Sequence, residues 1–427
     1  VSSDRSQPGI SEISFGPVEF FQPINEKILE SNPGIGGTQF ALFLLAHAVA
    51  EHLPDIQVSL DYLGGPVAKI GRLRPRRVKA FGSFRATGGM IVLPLSSVKK
   101  LEPEQVANSH LVVICQHPRD RSLPEVIEKF GPLAVIHVGK FSFWSNFRTD
   151  VINLHVPNLM PTQLDLSRAP AVDSGQKNSV GFLGALTPGK RFHEVASAWS
   201  KVAEASPGIS LEVLGSSSTH GQEEGHPELP TSESYGRQVL ASFGVKSLTE
   251  LENVSFLGNV GSEKNTYIRN WGVGIVNPDG GTESFCYAWR ELIFAGVPTL
   301  AGKREGMREL LSGFSGLALM HSSEIPGRVH SILSGDFDHS AFSRQRSRFI
   351  SRAQRLEADR LQKFLRFVSV SLQSKRQMRR YLISLSTWPA ATPAVISELF
   401  RHSKTGRSFA RGRDKIFSLL KKATRTR

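Results

Sequence analysis

The chain has 427 residues, more than one hydrophobic core usually organises, so two domains with a cleft between them are expected. Hydrophobic residues at 40% and charged residues at 21% give a globular composition, and no apolar run reaches the roughly 18 residues that span a bilayer. A net charge of +14 points to a polyanionic partner, and where the charge lies must separate nucleic acid, anionic membrane and phosphate-bearing substrate. The chain opens with Val1, and its first thirty residues hold no apolar signal core. Two cysteines, Cys115 and Cys286, stand outside any C-x-x-C spacing, which fits a reducing compartment and a cytoplasmic protein.

In chain order, residues 1–30 carry little periodicity. Residues 32–38 read NPGIGGT and lead into an apolar-periodic helix expected over 39–51. Residues 55–88 are hard to assign, although the RLRPRR cluster at 72–77 is suited to an anionic acceptor. Then a rhythm sets in. Short apolar runs at 111–115, 133–138, 180–183, 211–214, 254–257 and 273–276 are each followed by glycine, proline or polar residues, which predicts βαβ units and parallel sheets. The Pro/Ser/Gln-rich stretch after Asn158 separates the two halves as a linker. Arginine becomes frequent from Ser343. Residues 360–388 are expected to include a helix that packs back on the first domain. Residues 401–427 hold ten Lys/Arg against one acid, Asp414, and 414–422 form a short basic amphipathic pattern suited to anionic headgroups. The expected division is residues 1–165, a linker at 166–178, residues 179–360, C-terminal helices at 361–400 and a basic tail at 401–427.

The richest segment runs from Asn277 to Glu291, NPDGGTESFCYAWRE. It leaves a strand, turns through Gly280 and Gly281, and opens a helix expected over 284–295, with Thr282 or Ser284 as N-cap and Gly296 and Pro298 as its stop. The free N–H groups of Gly281, Thr282, Glu283, Ser284 and Phe285 would then form an anion site suited to a diphosphate. Glu283 and Glu291 are eight residues apart, about 12 Å of helical rise and roughly 80° of rotation, too far apart to share one metal. They suit the two ends of a long, hydroxyl-rich ligand. A capping Glu283 and an ion-paired Glu291 would look the same in sequence.

The E-x7-E spacing of Glu283 and Glu291 resembles the signature of the group-1 (family 4) glycosyltransferases. NPGIGGT resembles that family's first glycine loop, and VPN at 156–158 resembles the approach to its linker. GALTPGK at 184–190 resembles the opening of its second domain. LEVLG, VSFLG and GMRE at 211–215, 254–258 and 306–309 follow at the family's intervals. The resemblance covers residues 34 to 316. It implies an α/β GT-B fold, two Rossmann-like domains facing across a cleft, with the first binding acceptor and the second binding a nucleotide-diphosphate sugar. It implies a retaining, metal-independent, hexosyltransferase-like enzyme with no cofactor, because the nucleotide sugar is a substrate.

By the same resemblance Glu283 holds sugar hydroxyls, Glu291 holds the ribose, and Lys190 meets the leaving diphosphate. Gly36, Gly37 and Thr38 bring the first domain's backbone onto the phosphates and sugar. A histidine of the first domain completes such sites. His117, at a strand end, fits better than His137, inside an apolar strand. The expected catalytic set is therefore Glu283, His117 and Lys190. Two positions depart from the family: Ala185 stands where an arginine is usual, and Cys286 where glycine is common. Cys286 lacks a nearby base and reads as packing.

The acceptor is expected to be a glycan or lipid-linked molecule, with the basic tail touching the inner face of the membrane. No zinc-finger, RNP or basic-zipper pattern points to specific nucleic acid. An inactive scaffold of this fold, a sugar-nucleotide epimerase and a polyanion-binding protein are the alternatives.

Overall fold

The computed structural model of the protein describes residues 12–148, 150–161, 178–221 and 223–371. Runs of Val, Ile and Leu that are buried on both faces make parallel sheets wherever helices cover both sides. Here they make two. The first contains β1 (Glu12–Phe20), β2 (Gln57–Gly64), β3 (Arg74–Arg77), β4 (Met90–Pro94), β5 (His110–Cys115), β6 (Ala134–His137) and β7 (Ile152–His155). Its spatial order is β3-β2-β1-β4-β5-β6-β7 and every pair is parallel. The second contains β8 (Ser179–Leu183), β9 (Ser210–Leu214), β10 (Val254–Gly258), β11 (Val273–Ile275), β12 (Thr299–Gly302) and β13 (Ala318–Leu319). Its order is β10-β9-β8-β11-β12-β13, again all parallel.

In each sheet the first strand lies inside and the order reverses beside it, at β1/β4 and at β8/β11. Such reversals leave a crevice at the carboxyl ends of the strands, where doubly wound folds bind ligands. A large core fixes the second sheet. Trp271 is 1% exposed and lies so close over β8 that a Cβ on Gly181 would stand 1.8 Å from its ring, so only glycine fits there. Its indole donates to Glu212 at 2.8 Å, which satisfies the one polar atom brought inside.

The helix Tyr287–Phe294 ends as the sequence predicts. Gly296, at φ 85°, donates to Ile293 O and Val297 to Leu292 O, the Schellman pattern. Arg346 adds to this end, with Nε donating at 2.8 Å to Ile293 O, which also accepts from Gly296, and Nη2 to Phe294 O. Arg346 belongs to the helix His339–Ser371, which runs unbroken through residue 360, where a boundary was expected. The compact unit Val1–Arg366 holds both sheets. The expected linker, apart from Asn178, lies outside the described residues, as do residues 372–400 and the basic tail. Among the described residues, no helix is long and apolar enough to cross a membrane.

Candidate functional site

The carboxyl ends of the two sheets meet at one cleft. The first half contributes Gly34, Gly37 and Thr38 from the loop after β1 and the start of the helix Gly37–His52, with Gln116 and His117 from the end of β5. The second half contributes Gly184, Ala185 and Lys190 after β8, Thr219 after β9, Asn259 to Lys264 after β10, and Asn277 with Thr282 to Ala288 after β11. Glu291 reaches the cleft from the helix Tyr287–Phe294.

Direct contacts close the halves on each other. Asn259 Nδ2 donates to Gly34 O at 3.0 Å, and the Tyr287 hydroxyl donates to Leu159 O at 3.0 Å. Glu309 accepts from the Lys140 backbone at 3.1 Å. The Glu357 carboxylate is shared, taking Arg290 Nη1 at 3.0 Å on one oxygen and the Met160 N–H at 3.2 Å on the other. Glu357 belongs to the helix His339–Ser371 and precedes the residues 360–388 from which a returning helix was expected.

Two lysine–glutamate pairs dominate the floor. Lys190 donates to Glu283 Oε1, which also accepts from Asn277 Nδ2 at 3.1 Å. Burial pushes the Glu283 carboxyl upward, but Lys190 and Asn277 outweigh it and hold the group below the ordinary carboxylate range. Burial likewise opposes the charge on Lys190, and Glu283 more than restores it, leaving the ammonium above its ordinary value. The second pair is Lys264 with Glu291 Oε2 at 2.8 Å, 6% and 7% exposed respectively. Glu291 Oε1 has no hydrogen-bond partner although it is buried, and the same is true of Ser284 Oγ. Buried polar atoms are normally paired, so orphans on a cleft wall mark where a ligand's groups belong.

The backbone around these pairs is strained. Asn277, Thr282, Cys286, Arg191 and Glu305 have φ of 32°, 66°, 49°, 58° and 44°. Side chains rarely adopt that region, and a β-branched residue such as Thr282 does so at a cost of about 1–3 kcal/mol. The surrounding loop holds it: Thr282 N–H donates to Glu305 Oε2 at 3.0 Å and Gly306 N–H to Glu283 O at 3.0 Å. Gly280, at φ 70°, lies against β12 so closely that a Cβ would stand 1.9 Å from Gly302 O.

This conformation changes one expectation. The helix starts at Tyr287, not at Ser284, because Cys286 caps it in the left-handed region. Gly281 to Phe285 therefore form a loop, and the helical reckoning of the Glu283–Glu291 spacing does not apply. The first helical amides belong to Tyr287 and its successors.

The other predicted residues are placed as follows. Thr282, Glu283, Ser284, Phe285, Glu291, Lys190, Gly37, Thr38 and His117 line the cleft, whereas Gly36 and Gly281 do not. Gly36 caps the helix Gly37–His52, and Gly281 O accepts from Asn277 Nδ2 at 2.9 Å. His117 is exposed, and its recorded bonds use the backbone carbonyl, which accepts from Ser142 and Asn146. His137 is fully buried, bonds Asn153 at 3.1 Å and is pushed down to about 4 by burial, as a core histidine should be.

Cys286 is buried, and desolvation followed by Glu283 drives its thiol far above the ordinary value, which disfavours the thiolate. Ala185 does line the cleft. Arg191 does not; its nearest ion-pair partner is Glu194 at 3.9 Å. Lys264, Asn277, Asn259 and the reciprocal amide pair Gln116–Asn158 were not singled out as site residues from the sequence. Asn277 and Asn158, each inside a quoted motif, carried a signal; Lys264, Asn259 and Gln116 carried none.

Comparison with protein families gives no match, and comparison with curated protein sequences gives none. Solved structures do match. Anabaena HepE in complex with UDP and glucose shares 14% identity over 83% of this chain and 99% of that chain, with a TM-score of 0.53. The trehalose-6-phosphate synthase OtsA shares 10% over 84% and 98%, at 0.59. An E. coli structure described as trehalose-6-phosphate bound with UDP-2-fluoro glucose shares 10% over 84% and 98%, at 0.54. With its two parallel sheets meeting at a cleft, the chain has the two-domain α/β GT-B fold. At these identities the likeness concerns the fold.

Proposed function

We propose that the protein is a retaining, metal-independent glycosyltransferase that moves a sugar from a nucleotide-diphosphate sugar to a glycan or lipid-linked acceptor. The observation that carries this is the cleft wall on which Glu283 and Glu291 are each paired with a lysine while Glu291 Oε1 and Ser284 Oγ stay buried and unpartnered. Glu283, fixed by Lys190 and Asn277, positions sugar hydroxyls. Glu291 takes the ribose. An ammonium has three donors, so Lys190 can keep Glu283 and still meet the developing charge of the diphosphate.

The bond from the anomeric carbon to phosphate breaks as the acceptor oxygen bonds the same carbon from the leaving-group face. The acceptor's proton passes to the departing diphosphate, so no protein nucleophile enters and Glu283 acts by orientation. His117 lines the cleft from the end of β5, and in this reading it serves the acceptor. The UDP ligands named for the solved neighbours make a UDP-sugar the first donor to try.

One observation favours a second reading, an inactive scaffold: Ala185 occupies a cleft position where the resembled family carries a cation. A thermal-shift panel of UDP, GDP, ADP and their sugars on wild type and Glu291→Ala, with and without EDTA, separates the two. A ligand at a hundred times its dissociation constant adds about 2.7 kcal/mol, a rise of a few degrees. The enzyme reading expects such a rise for one nucleotide series, insensitive to EDTA and lost in Glu291→Ala, with sugar transfer in the same conditions. Binding without turnover would leave the scaffold, and no rise for any nucleotide would end the enzyme reading and leave the scaffold or a polyanion-binding protein.

A further inference from the structure

Among the described residues lining the cleft, Lys190 and Lys264 are the lysines and no arginine joins them. Lys190 serves Glu283. Lys264 sits at the start of the short helix Lys264–Ile268 after β10, 27 positions before Glu291, and its ammonium is buried against one oxygen of that carboxylate. A buried ion pair costs desolvation that its own attraction only partly returns, so its presence here calls for a use.

The second oxygen suggests that use. A carboxylate with both oxygens free can turn to any donor, whereas one held through Oε2 presents Oε1 in a single direction. Glu291 Oε1 is buried, unpartnered and on the cleft wall. We infer that Lys264 is a positioning residue: it clamps Glu291 Oε2 so that Oε1 is preset for the ribose hydroxyls of a nucleotide, which gives the site its preference for ribonucleotides over 2′-deoxyribonucleotides. This rests on the nucleotide-sugar reading above and adds the residue that sets its selectivity. Lys264 touches Glu291 and acts through it; the clamp works by geometry and by the fixed charge.

The test is a ratio. Dissociation constants of UDP, GDP and ADP and of their 2′-deoxy counterparts are measured for the full chain by calorimetry, for wild type, Lys264→Met, Lys264→Arg and Glu291→Gln. Wild type should favour the ribonucleotide by about tenfold or more. Lys264→Met should bring the ratio to within about threefold of unity, chiefly by weakening the ribonucleotide, and Lys264→Arg should keep part of it.

Lys264→Met strands a buried carboxylate, so folding is checked by thermal melting, and the double variant Lys264→Met/Glu291→Gln removes that difficulty. If Lys264 acts through Glu291, the double variant should show the ratio of Glu291→Gln alone. An unchanged ratio in Lys264→Met, with both nucleotides weakened alike, overturns the clamp while leaving the nucleotide site intact. Failure of wild type to bind any nucleotide overturns both.

Discussion

The two walls of the cleft are built by opposite means. On the second-domain wall two glutamates are buried and each is paired with a lysine, Lys190 with Glu283 and Lys264 with Glu291, and Thr282 and Cys286, on left-handed backbone, flank Glu283. On the first-domain wall, glycines, a neutral amide pair and an exposed histidine face the same space. A wall of fixed charges suits a ligand whose shape and charge do not vary, such as a nucleoside diphosphate, since preorganised groups need no rearrangement when the ligand arrives. An open wall of small and neutral groups suits a partner read by shape. The contrast predicts that changes to the second wall act on chemistry and binding together, and that changes to the first act mainly on the acceptor.

The sharpest way to break this contrast is to compare Lys190→Met with His117→Ala. Removing the lysine should lower transfer by about 10²–10³-fold, or roughly 2.7–4 kcal/mol of transition-state stabilisation. Removing the exposed histidine should lower it by about tenfold, with nucleotide affinity unchanged in a binding titration. Equal losses of nucleotide affinity in the two variants would erase the distinction between the walls.

A second effect comes from behind the first wall. His137 is buried neutral, with its value lowered to about 4 by desolvation, and the same cause, aided by Arg360 and Lys140, brings His155 to about 3. Between these values and the ordinary 6.5 the unfolded chain binds protons that the native chain does not, so stability rises with pH through that window and levels off above it. For His137 alone this amounts to about 3 kcal/mol at roughly 1.4 kcal/mol per unit. Melting temperatures from pH 4 to 8 should show the rise, and His137→Gln should reduce it while His155 keeps the remainder. Glu283 acts in the same direction at lower pH: its depressed value contributes stability above the ordinary 4.5 that is lost as pH falls through the native value.

A smaller effect concerns the support of the second wall. Arg346→Ala removes two charge-assisted bonds to the end of the Glu291 helix and should lower stability by about 1.5–3 kcal/mol in a urea titration, with the nucleotide preference retained. The smallest is Cys286→Gly. Glycine relieves the left-handed strain at φ 49°, while its extra unfolded-state freedom and the lost sulfur offset much of the gain. A net rise under about 1 kcal/mol is expected, and a clear fall would show that the buried thiol's packing outweighs the strain.

Legibility followed the same division of physics. β5, β6, β8, β9, β10 and β11 could be read because each is an apolar run with a polar boundary. β1 is no less buried, but EISFGPVEF carries Gly16-Pro17 in its midst and a glutamate near each end, which in sequence reads as a break. β3 is RPRR, an edge strand made of charge and proline, and β13 is two residues long. At the site, Glu283, Lys190, Gly37 and Thr38 could be named because ordered motifs flag them. The true start of the Glu291 helix could not, since Thr282 and Cys286 adopt a conformation that their residue types disfavour. Lys264 was out of reach because its contact with Glu291 exists only once β10 and β11 have brought distant loops together.

Glu357 also makes the described end of the chain a buckle. One carboxylate fastens Arg290, beside Glu291, and the Met160 amide, beside the amide pair of the other wall. A chain cut at residue 350 would keep every residue that lines the cleft. It would nonetheless leave the Arg290 guanidinium buried without its Glu357 partner and remove one of the fastenings between the two walls, so nucleotide affinity would drop with the binding surface chemically untouched.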